Sequence, residues 1–443
     1  MKTAKFFLLA TVALSMAAAS CSNDDNDENP QPVICPTDST SVTPPMEDST
    51  WVYEWHPAKA ITLTTSQQDI ARRLSTFSWQ LFAELYKRSE NGTKNIIYSP
   101  FSVETDFGMV LNGMQGTAKE ELLNLLGLSN ISTDDLNNFF TAMSQGIDEA
   151  DNMTRFSSAN SLWYAQDHTL NADFQNALQT HYGAEIFPVT FTSATANDIN
   201  KWCFEKTNGR IPSIVGQTSS LDLMHLINAV YFRSNWADHF DEAQTTNAPF
   251  TTAAGDTQEV SMMQKVFNHE GLEFDYTYND CYEQMVIPFN NGAYRMAFIL
   301  PRESSSIGEV IANIAQNNIV QQRPDDLTLI HLELPKFKVS SNYDLRNVLT
   351  QMGCTLFSAD DDCFHFFAQD NRTPTGIVHK AFLQIDEKGA EAAAATDIFL
   401  CTSDGTEPTY TDLYLTFNRP FLYTIIESST GYPLFMGYIS HIE

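Results

Sequence analysis

Apolar residues at helical spacing follow Ser99 and predict two consecutive helices. Ser99 is positioned to cap the first helix, and Pro100 is positioned in its first turn. Thr117 and Glu120 have the spacing of a capping box for the second helix. The apolar stripe of the first helix consists of Val103, Phe107, Val110, Leu111 and Met114. We therefore expect this part of the chain to be helical.

The later part of the chain alternates apolar runs with turn residues and predicts strands. The run LMHLINAVYF, residues 223–232, is almost entirely apolar, which is typical of a strand covered on both faces. MVIPF, YRMAFILP, LTLIHLELPKFKV and AFLQID predict further strands. PFLYTIIE and YPLFMGYI, joined by residues 428–431, predict a hairpin. Early helices and late strands together indicate an α+β fold with a large sheet.

The segment EKGAEAAAATDIFL, residues 387–400, has two interpretations. Its four consecutive alanines favour a helix, because Ala is the best helix former. Laid out as a strand, the segment places both Glu391 and Asp397 on one face. The opposite face carries Ala390, Ala392, Ala394 and Thr396. Since that face is small and uncharged, it can pack against a core without burying a charge, and we predict a strand.

Composition indicates a globular protein. Of the 443 residues, 43% are hydrophobic, which suffices for a large core. The formal net charge of −30 disfavours nucleic acid and anionic lipid as partners. The sequence contains no GxSxG, HExxH, GxxxxGK[ST] or GxGxxG motif, so no enzyme activity, cofactor or metal is predicted. A catalytic triad stays open at this point, because its members are joined only by geometry.

The N-terminus has the features of a secretory signal. Lys2 and Lys5 precede an apolar run, and small residues lead to Cys21. Residues 1–21 resemble a bacterial lipoprotein signal that ends at an acylated Cys21, with ordinary cleavage nearby as the alternative. Residues 22–65 are acidic and rich in Pro and predict a tether. The acidic SNDDNDE stretch resembles a surface-export tag, so we expect an outer-membrane lipoprotein exposed at the cell surface.

The other six cysteines show no zinc-type spacing, because CxxC is absent. We expect them to be unpaired packing residues rather than a disulfide framework. They are Cys35, Cys203, Cys281, Cys354, Cys363 and Cys401. Cys401 is predicted to be exposed, either as a tolerated small residue or as a redox-sensitive thiol.

Several stretches in one order resemble the serpins over residues 66–443. They are NIIYSPFSV, GMQGTAKEELLNLLGL, INKWCFEKTNGRI, LINAVYFRSNWADHF, VSMMQ, LPKFKVSSNYDL, VHKAFLQIDEKGAEAAAAT and FNRPFLYTIIESSTGYPLFMGYI. The resemblance implies a single domain of the serpin fold, with helices packed on a large central sheet, additional smaller sheets and an exposed reactive-centre loop at about residues 387–414. It also implies an inhibitor that a protease cleaves, after which the loop inserts into the main sheet and traps the acyl-enzyme.

The same resemblance assigns two groups of residues. The hinge comprises Glu387, Lys388, Gly389, Ala390, Glu391, Ala392, Ala393, Ala394, Ala395 and Thr396. The breach and shutter, where insertion begins and where the sheet opens, comprise Asn228, Trp236, Ser99, Ser102 and His379. Packing or hydrogen bonding alone is the alternative for Asn228 and Trp236. His379 is expected to be a core or hydrogen-bonding residue rather than a base. Ala390 departs from the family, which usually has Thr or Ser at that position.

The reactive bond is predicted at Ser403–Asp404, counting along the hinge side. The loop is about six residues longer than in a common family member, so Thr402, Thr406 and Thr409 are alternatives. No Arg or Lys lies between Lys388 and Arg419, which favours elastase-like or subtilisin-like proteases over trypsin-like ones. Serine proteases are the expected targets, with cysteine proteases also open, and we expect a monomer.

Two other functions compete with protease inhibition. A non-inhibitory carrier or structural serpin tends to have charged or bulky hinge residues, which this chain lacks. A surface glycan-binding or hydrolytic lipoprotein fits the signal and tether equally well but does not account for the hinge.

Overall fold

The computed structural model describes residues 55–90, 92–267, 274–316, 322–323, 328–369, 372–374, 376–390 and 410–443. They belong to one compact unit, Glu47–Glu443. Across these residues no helix has the length and apolar character needed to cross a membrane. Several predicted features lie outside the described residues: Cys21, Cys35, most of the tether, Glu391, Ala392, Ala393, Ala394, Ala395, Thr396, Cys401, Thr402, Ser403, Asp404, Thr406 and Thr409.

Most of the described helices lie in the first half of the chain, and two short ones lie in the second half. They are α1 Thr65–Lys87, α2 Pro100–Leu111, α3 Gly116–Leu125, α4 Thr133–Ala150, α5 Ala172–Tyr182, α6 Thr195–Lys206, α7 Ile307–Ala315 and α8 Arg346–Gln351. The first predicted helix is confirmed as α2, where the Ser102 amide donates to Ser99 Oγ at 3.2 Å and Pro100 occupies the first position.

The predicted capping box of the second helix is wrong. α3 begins at Gly116, so Thr117 is already inside the helix and cannot act as its cap. The capping position is Gln115, which makes no side-chain cap hydrogen bond. Instead, its amide donates to Cys363 O at 2.9 Å, and its side chain donates to Asp362 O at 2.8 Å. Tertiary hydrogen bonds thus fix Gln115 at the start of α3, where the sequence predicted a local cap.

Each apolar run that predicted a strand falls on one, but the described residues also contain strands that no apolar run predicted. They are β1 Ile96–Tyr98, β2 Arg155–Ala165, β3 Glu185–Val189, β4 Met224–Asn235, β5 Thr246–Thr251, β6 Thr257–Phe267, β7 Asp275–Tyr278, β8 Tyr282–Pro288, β9 Tyr294–Pro301, β10 Thr328–Pro335, β11 Phe337–Asp344, β12 Val378–Asp386, β13 Gly389–Ala390, β14 Thr411–Thr416, β15 Phe421–Glu427 and β16 Pro433–Ile439. The predicted hairpin is confirmed as β15 and β16, which pair antiparallel.

These strands form three sheets. The main sheet has the order β11-β12-β13-β4-β2-β3, and the second sheet has the order β1-β16-β15-β9-β8-β7. The small sheet has the order β14-β10-β6-β5. Helix α2 packs against β4 of the main sheet and β16 of the second sheet, so it lies in the core between them.

Helix α2 is more deeply buried than its predicted stripe implied, because every one of its residues is buried. Glu104 is 2% exposed and accepts hydrogen bonds from Ser78 Oγ at 2.7 Å and from the Tyr432 hydroxyl. Burial raises the pKa of Glu104 to about 8, although both hydrogen bonds lower it. An all-round buried helix therefore replaces the expected amphipathic one.

The last residues of the predicted tether pack on the body. Ile61 and Leu63 are buried. The Lys59 amide donates to Ala150 O at 3.1 Å, and the Ile61 amide donates to Ser429 Oγ at 2.9 Å. Contact with the body thus begins several residues before α1.

Candidate functional site

The start of the hinge forms a two-residue strand inside the main sheet. Gly389 pairs with Asn235 of β4 and with Asp386 of β12. The next residue, Ala390, pairs with Ser234 and Ile385 and is fully buried. Because β13 is antiparallel to both neighbours, β4 and β12 run parallel to each other. In the described part of the chain, β13 is the only strand that joins them by a ladder.

Gly389 is required where it lies. Its φ is +142°, a backbone conformation that residues other than Gly rarely adopt. A Cβ at this position would lie 2.4 Å from Ser234 O and 2.7 Å from Asn235 Cα. The resemblance assigned Gly389 to the hinge, and the structure adds a close backbone approach that excludes any side chain.

Glu387 fixes the turn that leads into β13. The residue is only 5% exposed. Its carboxylate accepts from Lys336 Nζ at 2.9 Å and from Thr245 Oγ1 at 2.8 Å. Burial raises the pKa of Glu387, but the hydrogen bonds from Lys336 and Thr245 outweigh it, so the pKa is lowered overall. The carboxylate therefore stays charged and joins the hinge to Lys336, between β10 and β11, and to Thr245, just before β5.

Trp236 lies directly after β4 and binds the same turn. Its ring is 1% exposed and stacks on Phe289 with the centroids 4.5 Å apart. Its indole N–H donates to Asp386 O at 3.0 Å, and its amide donates to Lys388 O at 2.8 Å. These contacts place Trp236 at the end of the sheet where β13 begins.

Ser99, Ser102, Asn228 and His379 lie together near the middle of β4. Ser102 Oγ donates to Asn228 Oδ1 at 2.5 Å. The Ser99 amide donates to His379 Nε2 at 3.0 Å, and His379 Nδ1 lies 3.5 Å from Ser102 Oγ. This cluster links α2 to β4 and β12, the two strands that flank β13.

The hydrogen bonds fix the state of His379. Because Nε2 accepts a backbone hydrogen bond, the neutral ring carries its proton on Nδ1, which faces Ser102. Burial lowers the pKa of His379 to about 4. A neutral, buried histidine acts here as a hydrogen-bonding residue between elements, as the sequence analysis expected, and not as an exposed base.

Sequence reasoning missed partners that only the sheet brings together. Asn160 on β2 is the register neighbour of Asn228 and accepts from its side chain at 2.6 Å. Ser158 Oγ accepts from the same amide at 3.0 Å. The one available signal was an Asn inside an otherwise strand-like run, since Asn is depleted in strands.

The comparisons with known proteins agree with this geometry. The family model described as serpin (serine protease inhibitor) matches residues 72–442. An uncharacterized serpin-like protein of Thermococcus kodakarensis is 29% identical over 427 residues, covering 93% of each chain. Leukocyte elastase inhibitor A of Mus musculus is 28% identical, covering 82% of this chain and 96% of its own. The crystal structure of the thermophilic serpin tengpin in the native state has a TM-score of 0.73 at 26% identity, covering 88% of this chain and 98% of tengpin.

Proposed function

Because the chain belongs to the serpin family, whose members are described as serine protease inhibitors, we propose that it traps proteases as a suicide substrate. The protease serine attacks the carbonyl of Ser403, the peptide bond to Asp404 breaks, and the new amine leaves with the C-terminal part of the chain. The resulting ester holds the protease while the severed loop enters the main sheet. Loop insertion as a strand addition is an established mode of recognition in this family.

The observation that carries this proposal is the position of β13 between β4 and β12. Continuing its register would bring Ala392 between Phe232 and Leu383, and Ala394 between Val230 and Ala381. All four of these neighbours are buried. The small, uncharged face predicted from the sequence is therefore the face that would meet the apolar interior of the sheet.

The same register gives the position that Thr396 would take in the main sheet. Thr396 would lie opposite both Asn228 and His379. A threonine hydroxyl both donates and accepts, so it suits the polar groups of this cluster. The first charged residue on the opposite face, Glu391, would lie beside Arg233.

The test is to incubate the purified protein with elastase-like, subtilisin-like and trypsin-like serine proteases. We expect complexes that survive SDS with at least one of the first two classes, and mass spectrometry should place the cut at Ser403–Asp404. Comparison with leukocyte elastase inhibitor A supports the elastase-like class, and so does the absence of Arg and Lys between Lys388 and Arg419. Cleavage without any trapped complex would instead favour a non-inhibitory member.

We also propose that acylated Cys21 anchors the protein at the outer membrane, facing outward. The support is the signal-like sequence of residues 1–21 and the acidic stretch after it. Contact with the body begins at His56, whose carbonyl accepts from Asn291 Nδ2 at 3.1 Å, and the intervening chain spans at most about 120 Å when fully extended. Cys21→Ala should abolish incorporation of radiolabelled palmitate and release the protein from membranes; unchanged labelling would refute the anchor.

A further inference from the structure

Three side chains form a row across the solvent face of the small sheet, which we call the Tyr414 row. Tyr414 of β14 pairs in register with His331 of β10, and His331 pairs with Val266 of β6. Tyr414 is 72% exposed and Val266 is 52% exposed. Neighbouring strands lie about 4.8 Å apart, so the row extends about 10 Å from Tyr414 to Val266.

The row is held in one arrangement before any partner arrives. The His331 and Tyr414 rings stack with their centroids 4.5 Å apart and their planes 16° from parallel. His331 Nε2 donates to Asp412 Oδ1 at 2.7 Å, which fixes the imidazole. A rigid exposed tyrosine loses little conformational entropy on binding, and tyrosine is enriched among residues that dominate interface energies.

The row adjoins the part of the loop that the protease would attack, because Tyr414, at the end of the predicted loop, lies inside β14. Strand β14 begins at Thr411, and the proposed bond at Ser403–Asp404 lies seven residues before Tyr410, at most about 25 Å away along the chain. A protease of about 240 residues has a radius of gyration of roughly 18 Å. A protease bound at that bond therefore reaches the surface beside the start of β14.

We propose that the Tyr414 row is an accessory docking surface for the protease that cleaves the loop, namely a serine protease with an apolar surface beside its substrate cleft. The proposal rests on the proposed function for the identity of the partner. It adds that recognition extends from the loop onto β14, β10 and β6, so that the rate of attack depends on residues outside the cleaved segment.

The test measures kcat/KM for cleavage of the loop, with an elastase-like and a subtilisin-like protease as probes. Tyr414→Ser and Val266→Ser should each lower kcat/KM about tenfold with at least one of them, as expected for central interface residues. Tyr414→Phe should retain most of the rate. Val266→Ser is the decisive variant for docking. Because β6 is two strands away from β14, the Val266 side chain cannot act by changing how the loop is anchored.

Leu221 provides the matched control. It is a large apolar side chain that is 87% exposed, and it lies just before β4, at the opposite end of that strand from Asn235 and Gly389. The length of β4 separates it from the hinge by roughly 35 Å. Leu221→Ser should leave kcat/KM unchanged.

The proposal would be overturned if Val266→Ser left kcat/KM unchanged with either protease, or if Leu221→Ser slowed cleavage equally. It would also be overturned if the variants of the row lost self-association in sedimentation velocity while their cleavage was unchanged. That last result would show that the Tyr414 row mediates contacts between copies of this chain. Trapping is scored separately, as the fraction of cleaved protein found in complex. A wild-type protein that is cleaved but never trapped would contradict the proposed function while still deciding the role of the row, and a loop that neither protease cleaves would refute both.

Discussion

At the scale of single residues, the histidine between α2 and β12 shows how the core constrains the site. His379 is 2% exposed, and its neutral ring accepts from the Ser99 amide. Protonation would place a second hydrogen on Nε2 against that amide and put a charge in the core. The resting arrangement therefore depends on this ring staying neutral.

This dependence predicts a loss of stability in mild acid. The pKa of His379 falls from an ordinary value near 6.5 to about 4 on folding, so its contribution is complete above pH 6.5 and is lost as the pH falls toward 4. The full loss amounts to about 3 kcal/mol. His379→Gln should flatten the decline of the melting temperature between pH 6.5 and 5, measured by calorimetry. The exposed His56→Gln is the control, and an unchanged slope for His379→Gln would contradict the assignment.

At the scale of elements, the strand that would extend β13 has two faces that differ in the charge they can accept. Ala394→Glu would place a carboxylate between Val230 and Ala381, where nothing compensates its charge. A typical acyl-enzyme survives for roughly 0.1 s, and each 1.4 kcal/mol added to the insertion barrier slows insertion tenfold. Ala394→Glu should therefore convert the inhibitor into a substrate, with cleavage retained and complexes on SDS gels largely lost.

Ala393→Glu is the matched variant on the opposite face. The same register places residue 393 beside Phe382, over whose ring the Arg210 guanidinium lies at 5.7 Å. A carboxylate there has a cation within reach, so most of the complex should remain. If both variants trap protease equally well, the two faces of the strand do not differ as proposed.

At the scale of the whole molecule, apolar runs predicted β4, β8, β9, β10, β12, β15 and β16, because such runs reflect burial directly. Helical periodicity predicted α2. The alternation in residues 387–396 predicts which face of the hinge is small, and on that face the structure describes only Ala390, which is buried. Local patterns failed where tertiary contacts took over: Gln115 is held by the chain near Cys363 instead of by a capping box. The Lys336 and Thr245 contacts to Glu387 could not be predicted, because they join segments far apart in sequence.

The most direct test of the central claim compares the melting temperatures of the intact protein and of the protein cleaved within the loop, after removal of the protease. Insertion adds a central strand to the main sheet, so the cleaved form should melt at a temperature higher by on the order of 10 °C or more. The Ala394→Glu protein, cleaved in the same way, should gain much less. Equal melting temperatures for intact and cleaved wild-type protein would show that no strand is added and would contradict the account.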